Sequence, residues 1–174
     1  ILFIASNPLG VEIQLHSYSF SDEQNADYLV LRYRIKNTST LNISNFYAGL
    51  FLDWDIVDGS GMDDYTQYNE NGKYGYAYHI GGNPNTYTGC ALISDNKYGY
   101  WGILNNGGDG GFSIFDGFTK EEKWTSISSG IGKPQAGGGD ISFVTSAGPY
   151  SINSGDSIDI AFAVGAADSL IALS

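Results

Sequence analysis

The chain has 174 residues, 42% of them hydrophobic, a size and composition suited to one domain with a proper core. Charged residues make up only 16%, against about 25% in ordinary soluble domains, while 24 glycines and 13 tyrosines point to β structure with many tight turns. The net charge of −11 provides no basic stripe for nucleic acid, and an anionic membrane surface would repel the chain.

Taken in order, Ile1-Leu2-Phe3-Ile4 is too short for a signal peptide and reads as a strand entered partway. Val11, Ile13 and Leu15 alternate with Glu12, Gln14 and His16, the period of two that marks a strand, which Tyr18 and Phe20 extend. After a polar turn at 21–25, Leu29, Leu31, Tyr33 and Ile35 alternate with Val30, Arg32, Arg34 and Lys36. Asn37-Thr-Ser-Thr40 turns the chain, and Phe46, Ala48, Leu50, Leu52 and Trp54 follow at the same period. The short link predicts that these two long strands are neighbours in one antiparallel sheet.

An acidic, glycine-bearing loop runs from Asp53 to Asp64, after which Tyr74, Tyr76, Tyr78 and Ile80 restart the alternation. Residues 90–93 and 98–104 read as a hairpin across Ser94-Asp-Asn-Lys97, and 105–111 as a flexible glycine loop. Thr119 and Glu122 form a capping-box pair that opens a helix ending at Ser128-Ser-Gly130. Residues 141–145 and 158–164 are closing strands, and a helix pattern begins at Asp168. Strands about ten residues apart, with turns between them, predict an all-β, antiparallel sandwich, immunoglobulin-like or jelly-roll-like, with one short helix. No internal repeat or linker divides residues 1–174, which read as a single domain cut from a longer polypeptide.

Three stretches carry a resemblance: Gly10-Val-Glu-Ile13, Asp27-Tyr-Leu-Val-Leu-Arg-Tyr-Arg-Ile-Lys-Asn-Thr38 and Tyr47-Ala-Gly-Leu-Phe-Leu-Asp-Trp-Asp55. With Gly148-Pro-Tyr150, Ser154-Gly-Asp-Ser157 and Ala161-Phe-Ala-Val164, they resemble a module of large secreted proteins of Bacteroidetes-type bacteria. Such proteins leave by type IX secretion, and the module often sits beside subtilisin-like protease or fibronectin-like domains. The resemblance implies a β-sandwich, an extracellular or cell-surface location and flanking domains of the same polypeptide as partners. It implies no catalytic residue.

The acidic loop is the strongest local signal for chemistry. Asp53 and Asp55 sit two apart at a strand end, so their carboxylates point the same way, and Asp58, Asp63 and Asp64 follow on glycine-flexed chain. Five carboxylates so close repel one another unless they are solvated or bridged, and Ca²⁺ takes six to eight oxygens from such loops. The spacing is not that of an EF-hand. Two readings stand: a solvated acidic loop, or a Ca²⁺ site.

Aromatic residues could stack on sugar rings, with Trp54, Tyr65, Tyr68 and Tyr87 as candidate ligand residues, although period-two aromatics more often pack within sheets. His16 and His79 have no partner at metal-ligand spacing, and Cys90, the one cysteine, reads as a buried apolar group. Asn37-Thr-Ser and Asn42-Ile-Ser match the N-glycosylation pattern. Hydrolase, zinc-protease and phosphate-loop motifs do not occur.

The sequence therefore predicts a non-catalytic, extracellular structural or adhesive module, whose further partners are other copies of itself or surface polysaccharide. A carbohydrate-binding module is the alternative, and a glycoside hydrolase built on Asp53 and Asp55 the third reading. Neither nucleic-acid binding nor membrane insertion is expected.

Overall fold

The computed structural model describes residues 9–23, 25–56, 63–81 and 86–173. Within them the strands are β1 (Val11–Ser19), β2 (Tyr28–Asn37), β3 (Ile43–Trp54), β4 (Asp64–Asn69), β5 (Tyr74–His79) and β6 (Tyr87–Leu92). β7 (Tyr98–Leu104), β8 (Ile131–Lys133), β9 (Gln135–Gly139), β10 (Ile141–Ile152) and β11 (Ser157–Ala167) complete the set. The helices are α1 (Lys120–Ser128) and a single terminal turn, α2 (Leu170–Leu173).

Two sheets form a β-sandwich. One has seven strands in the order β1-β2-β11-β6-β5-β4-β9, and the other four, β3-β10-β7-β8. All pairings are antiparallel except β7 with β8. Alternation decides which side chains enter the core. From the larger sheet Ile35, Ile160, Phe162 and Cys90 point inward, and from the smaller Ile141, Phe143 and Tyr100. Each of these is at most 2% exposed.

Two glycines mark close approaches. A Cβ on Gly75 would overlap the ring of Tyr100 across the core, and one on Gly132 of β8 would overlap the Trp101 ring on the neighbouring strand β7. A buried hydrogen bond also links the sheets: the Tyr100 hydroxyl lies 2.5 Å from Thr66 Oγ1, which donates to the Tyr76 carbonyl.

Helix α1 starts where the sequence places it. Thr119 is the N-cap, and the reciprocal Thr119–Glu122 hydrogen bonds of a capping box are both present. The helix covers the outer side of the small sheet, where Ser126 is buried and Trp124 packs edge-on against Tyr47. The glycine loop beside it is held by Asx-type turns, with Gly108 N donating to Asn106 and Gly111 N to Asp109.

Two expectations about pairing are overturned. β2 and β3 lie in different sheets: β2 pairs with β1 and β11, whereas β3 pairs with β10. Likewise β6 and β7 form no hairpin, because β6 joins the seven-stranded sheet and β7 the other. In both places a short polar link carries the chain over the sandwich edge, and alternation is identical on either side of it.

The first crossing is pinned by Asn37, which is wholly buried. Its amide donates to the carbonyls of Leu41 (2.7 Å) and Ile152 (3.0 Å), and its Oδ1 accepts from the backbone N–H and hydroxyl of Ser39. With both amide hydrogens engaged inside the protein, Asn37 has no free nitrogen for a glycan, so its sequence triplet is a structural corner. Asn42 is exposed and its Oδ1 accepts from Ser154 N.

Candidate functional site

Two regions gather chemistry, the acidic end of the sandwich and the outer face of the larger sheet. At the acidic end, β3 delivers Asp53 on the outer side of the small sheet, directly opposite Ser142 of β10. Ser142 and Asn105 are both wholly buried. Ser142 Oγ lies 2.7 Å from Asp53 Oδ1 and 2.7 Å from Asn105 Oδ1. The Asn105 amide reaches Asp53 at 3.1 Å and Asp140 at 2.7 Å. One neutral amide thus holds two carboxylates side by side.

Asp64 enters from the other sheet as the first residue of β4. It is wholly buried and bonds to His79 Nδ1 at 2.8 Å. His79, read from sequence as solitary, is therefore the partner of a buried carboxylate, aligned with it because Asp64 and His79 are opposite in the β4–β5 register.

Asp140, which the sequence reading did not single out, is central to this end. Desolvation, then the nearby charge of Asp53, holds its carboxyl above the usual carboxylate range, with Asp55 and Asp64 adding to the effect and Asn105 opposing it. The structure thus brings Asp53, Asp55 and Asp64 within electrostatic reach of Asp140. Asp63 is exposed on the approach to β4, and Asp58 lies outside the described residues. Among the described residues no three His, Cys, Asp or Glu side chains are arranged to hold a metal ion.

The four candidate ligand aromatics divide by strand parity. Trp54 faces inward and packs against Phe143, ring centroids 6.5 Å apart. Tyr68 is stacked on Tyr98 at 5.3 Å inside the sandwich. Neither offers a ring face to a ligand on the outer surface. Tyr65 and Tyr87 lie on the outer face, on either side of Tyr78.

These three strands build a row of phenols. Tyr65 and Tyr78 are 5.7 Å apart and 24° from parallel, and Tyr78 and Tyr87 are 5.8 Å apart and 23° from parallel. Tyr76 continues the row from Tyr78 at 5.8 Å, and Tyr74 follows at 6.0 Å. Tyr65 in turn leans over Gly137 of β9, where a Cβ would overlap its ring. Tyr74 and Tyr76 are covered by their neighbours, while Tyr65, Tyr78 and Tyr87 are half-buried.

The hydroxyls of the covered pair are engaged: Tyr76 donates to Gln67 at 2.7 Å, and Asn69 donates to Tyr74 at 3.1 Å. Burial, then neighbouring phenols, pushes the Tyr76 and Tyr78 hydroxyls above the usual phenol range, so both stay protonated.

Beside this row lies an open groove of about 530 Å³ on the same face. Its floor is made by small residues of neighbouring strands, Gly89, Ala91, Ala163 and Gly165, and its walls by Tyr28, Tyr74 and Leu173 of α2. No carboxylate of the acidic end lines it. A second cavity of about 390 Å³, between α1 and the small sheet, is lined by apolar groups and Lys123. Cys90, on the inner face under the groove, is 1% exposed, and burial pushes its thiol up to about 12, so it is an inert core group.

The signal for the tyrosine row was present in the sequence as Tyr74, Tyr76 and Tyr78. What strand alternation could not give was their side of the sheet, or that Tyr65 and Tyr87 flank them. In class the molecule is a β-sandwich with an aromatic, grooved outer face and a hydrogen-bonded acidic end. A scan against protein-family models finds no match, and a search of curated proteins finds none either. No helix among the described residues is long and apolar enough to cross a membrane.

Proposed function

We propose that this domain is a non-catalytic adhesive module of a secreted or cell-surface protein, and that it binds through the outer face of its seven-stranded sheet. The carrying observation is the row Tyr65, Tyr78 and Tyr87 beside a largely apolar groove that Asp27 also lines. Buried cores use aromatic residues for packing, but Tyr65, Tyr78 and Tyr87 lie outside the central core and keep part of each ring at one surface, with Tyr74 and Tyr76 covered beside them. Chemistry of that kind suits the apolar faces and ring hydroxyls of a polysaccharide, with neutral phenols serving as donors at physiological pH.

A hydrolase reading is weakened by the acidic end. Its carboxylates are tied to Asn105, Ser142 and His79, and they line neither cavity, whereas glycoside cleavage needs two carboxyls flanking a bound sugar. An exported acidic chain flanked by further domains, as the resemblance implies, suits adhesion better than turnover.

The test is affinity electrophoresis through gels containing soluble polysaccharides, followed by calorimetry on any that retard the protein. Replacing both Tyr65 and Tyr87 with alanine should abolish retardation while the thermal midpoint moves by only a few degrees. Unchanged retardation in that variant, or no retardation by any polysaccharide, would remove this face from the proposal.

A further inference from the structure

We propose that the free edge of β1 is a self-association site, at which a second copy of this chain adds its own β1 antiparallel about a twofold axis at Leu15. This goes beyond the tyrosine face and uses none of its residues. β1 pairs with β2 through nine consecutive positions and, among the described residues, with no other strand. Every residue of it except Val11 is exposed, so both of its faces and its outer edge are open.

The reason is a mismatch of layers, since four strands cannot cover seven. Ile13 and Leu15 share the inward side of the larger sheet with buried Ile35, yet are 57% and 51% exposed. Leu29, on the same side at the other end of β2 opposite Ser19, is 39% exposed. An apolar strip therefore runs to the rim with nothing over it among the described residues.

Sheet edges are ordinarily guarded by charge, proline or a bulge. β1 has no proline, no bulge and one charged residue, Glu12. The other edges among the described residues are guarded or short: β8 is only three residues long and runs straight into Pro134. β9 follows Pro134, contains three glycines and breaks register with β4. β3 has a left-handed residue, Asn45 at φ 53°, and two register shifts against β10. Head-to-tail growth through β9 or β3 is thereby disfavoured, and β1 is left to meet its own kind.

Register and charge both fit a second copy. A twofold axis at Leu15 sets Leu15 against itself, Ile13 against Ser17, Val11 against Ser19, Gln14 against His16 and Glu12 against Tyr18. No like charges face each other, and the two apolar strips join. A chain of net charge −11 repels its copies over most of its surface. Next to β1, however, Arg32, Arg34 and Lys36 offset Glu12 and Asp159, with Arg32 paired to Asp159 at 3.0 Å. This rim is where two acidic molecules approach with least repulsion. Main-chain hydrogen bonds along the added strand supply the attraction, as in β-augmentation generally.

The experiment pairs sedimentation with cross-linking on the whole chain. The unmodified protein should show a monomer–dimer equilibrium that stops at two copies. Leu15→Cys, mildly oxidised, should give a disulfide-linked dimer, because opposed Cα atoms in a strand pair lie about 4.5–5.5 Å apart, within disulfide range. Glu12→Cys should not, because its symmetry mate lies six residues further along, about 20 Å away. Buried Cys90 does not compete. Leu15→Lys sets two like charges face to face and should yield a monomer with an unaltered near-UV spectrum.

A wild-type monomer at millimolar concentration, equal cross-linking at both positions, or growth beyond two copies would each overturn the proposal. The Tyr65 and Tyr87 double variant should dimerise like its parent, so a failure of the polysaccharide reading and a failure here are told apart.

Discussion

Replacing Asn37 tests whether one buried side chain fixes the crossing between the two sheets. Its amide fills four roles: donation to Leu41 and Ile152, and acceptance from the Ser39 N–H and hydroxyl. Asn37→Ala removes all four and leaves the Ile152 carbonyl and Ser39 N–H to find other partners. A typical buried hydrogen bond contributes about 0.5–1.5 kcal/mol net, and each group left unsatisfied costs about 1–3 kcal/mol. Relaxation and water entry at the partly exposed Leu41 and Ser39 ends should recover some of this, so a loss of about 3–4 kcal/mol is expected. That is a large part of the 5–15 kcal/mol usual for a domain.

Asn37→Asp keeps the acceptor for Ser39 but turns a carboxylate oxygen toward two carbonyls. Those neighbours raise the introduced carboxyl's folded-state pKa above its unfolded value, so its ionised form is penalised in the fold. The deficit is full at neutral pH and shrinks as pH falls through the raised folded value. The assay is urea unfolding of parent and both variants at about pH 7 and pH 5, fitted with a common slope. A loss below about 1 kcal/mol for Asn37→Ala would refute the reasoning, as would an Asn37→Asp deficit that does not change with pH.

Two further substitutions probe the core. Gly75→Ala places a methyl against Tyr100 and 3.2 Å from Phe143, both wholly buried, and should cost about 2–3 kcal/mol in denaturant titration; a cost under about 1 kcal/mol would mean that the layers can part there. Tyr100→Phe removes the hydroxyl beside Thr66 while Thr66 keeps its donation to Tyr76, so the loss should be about 1–1.5 kcal/mol by the same titration; a neutral result would show the bond to be unimportant.

Strand existence was legible because alternation is a local property. Ile35 buried beside exposed Arg34, or Phe143 opposite Leu52, follows from period two alone. The helix was legible because its start is written in Thr119 and Glu122. Sheet membership was not. Asn37-Thr-Ser-Thr40 and Ser94-Asp-Asn-Lys97 look like hairpin turns, and a link that crosses to the other sheet needs the same polar residues as one that returns. The difference lies in Asn37, whose partners Leu41 and Ile152 meet only in the fold. β4 was missed because Asp64-Tyr-Thr-Gln-Tyr-Asn69 is polar throughout, and β8 and β9 because Gly130, Gly132, Pro134 and the glycines at 137–139 hide any alternation there.

Sites were read less well than strands for the same reason. Asp53 and Asp64 are eleven residues apart in sequence but belong to different sheets, and what relates them is Asp140, between β9 and β10. An isolated Asp after three glycines carries no sign of that role. Trp54 and Tyr68 sit on the inward parity of their strands, whereas Tyr65 and Tyr87 sit on the outward one. A one-residue difference in parity separates core from surface.

That same end carries the last prediction. Asp140 has its carboxyl raised first by desolvation and then by Asp53, so its folded-state pKa lies above its unfolded value. The ionised form is therefore disfavoured in the fold, and the penalty present at neutral pH disappears as pH falls through the raised folded value. Asp140→Asn keeps an oxygen to accept from Asn105 and removes the charge. Its thermal midpoint should exceed that of the parent at about pH 7, with the gap closing toward about pH 4 as the parent's carboxyl protonates. A midpoint that Asp140→Asn leaves unchanged at neutral pH, or a gap that does not close toward about pH 4, would refute the repulsion.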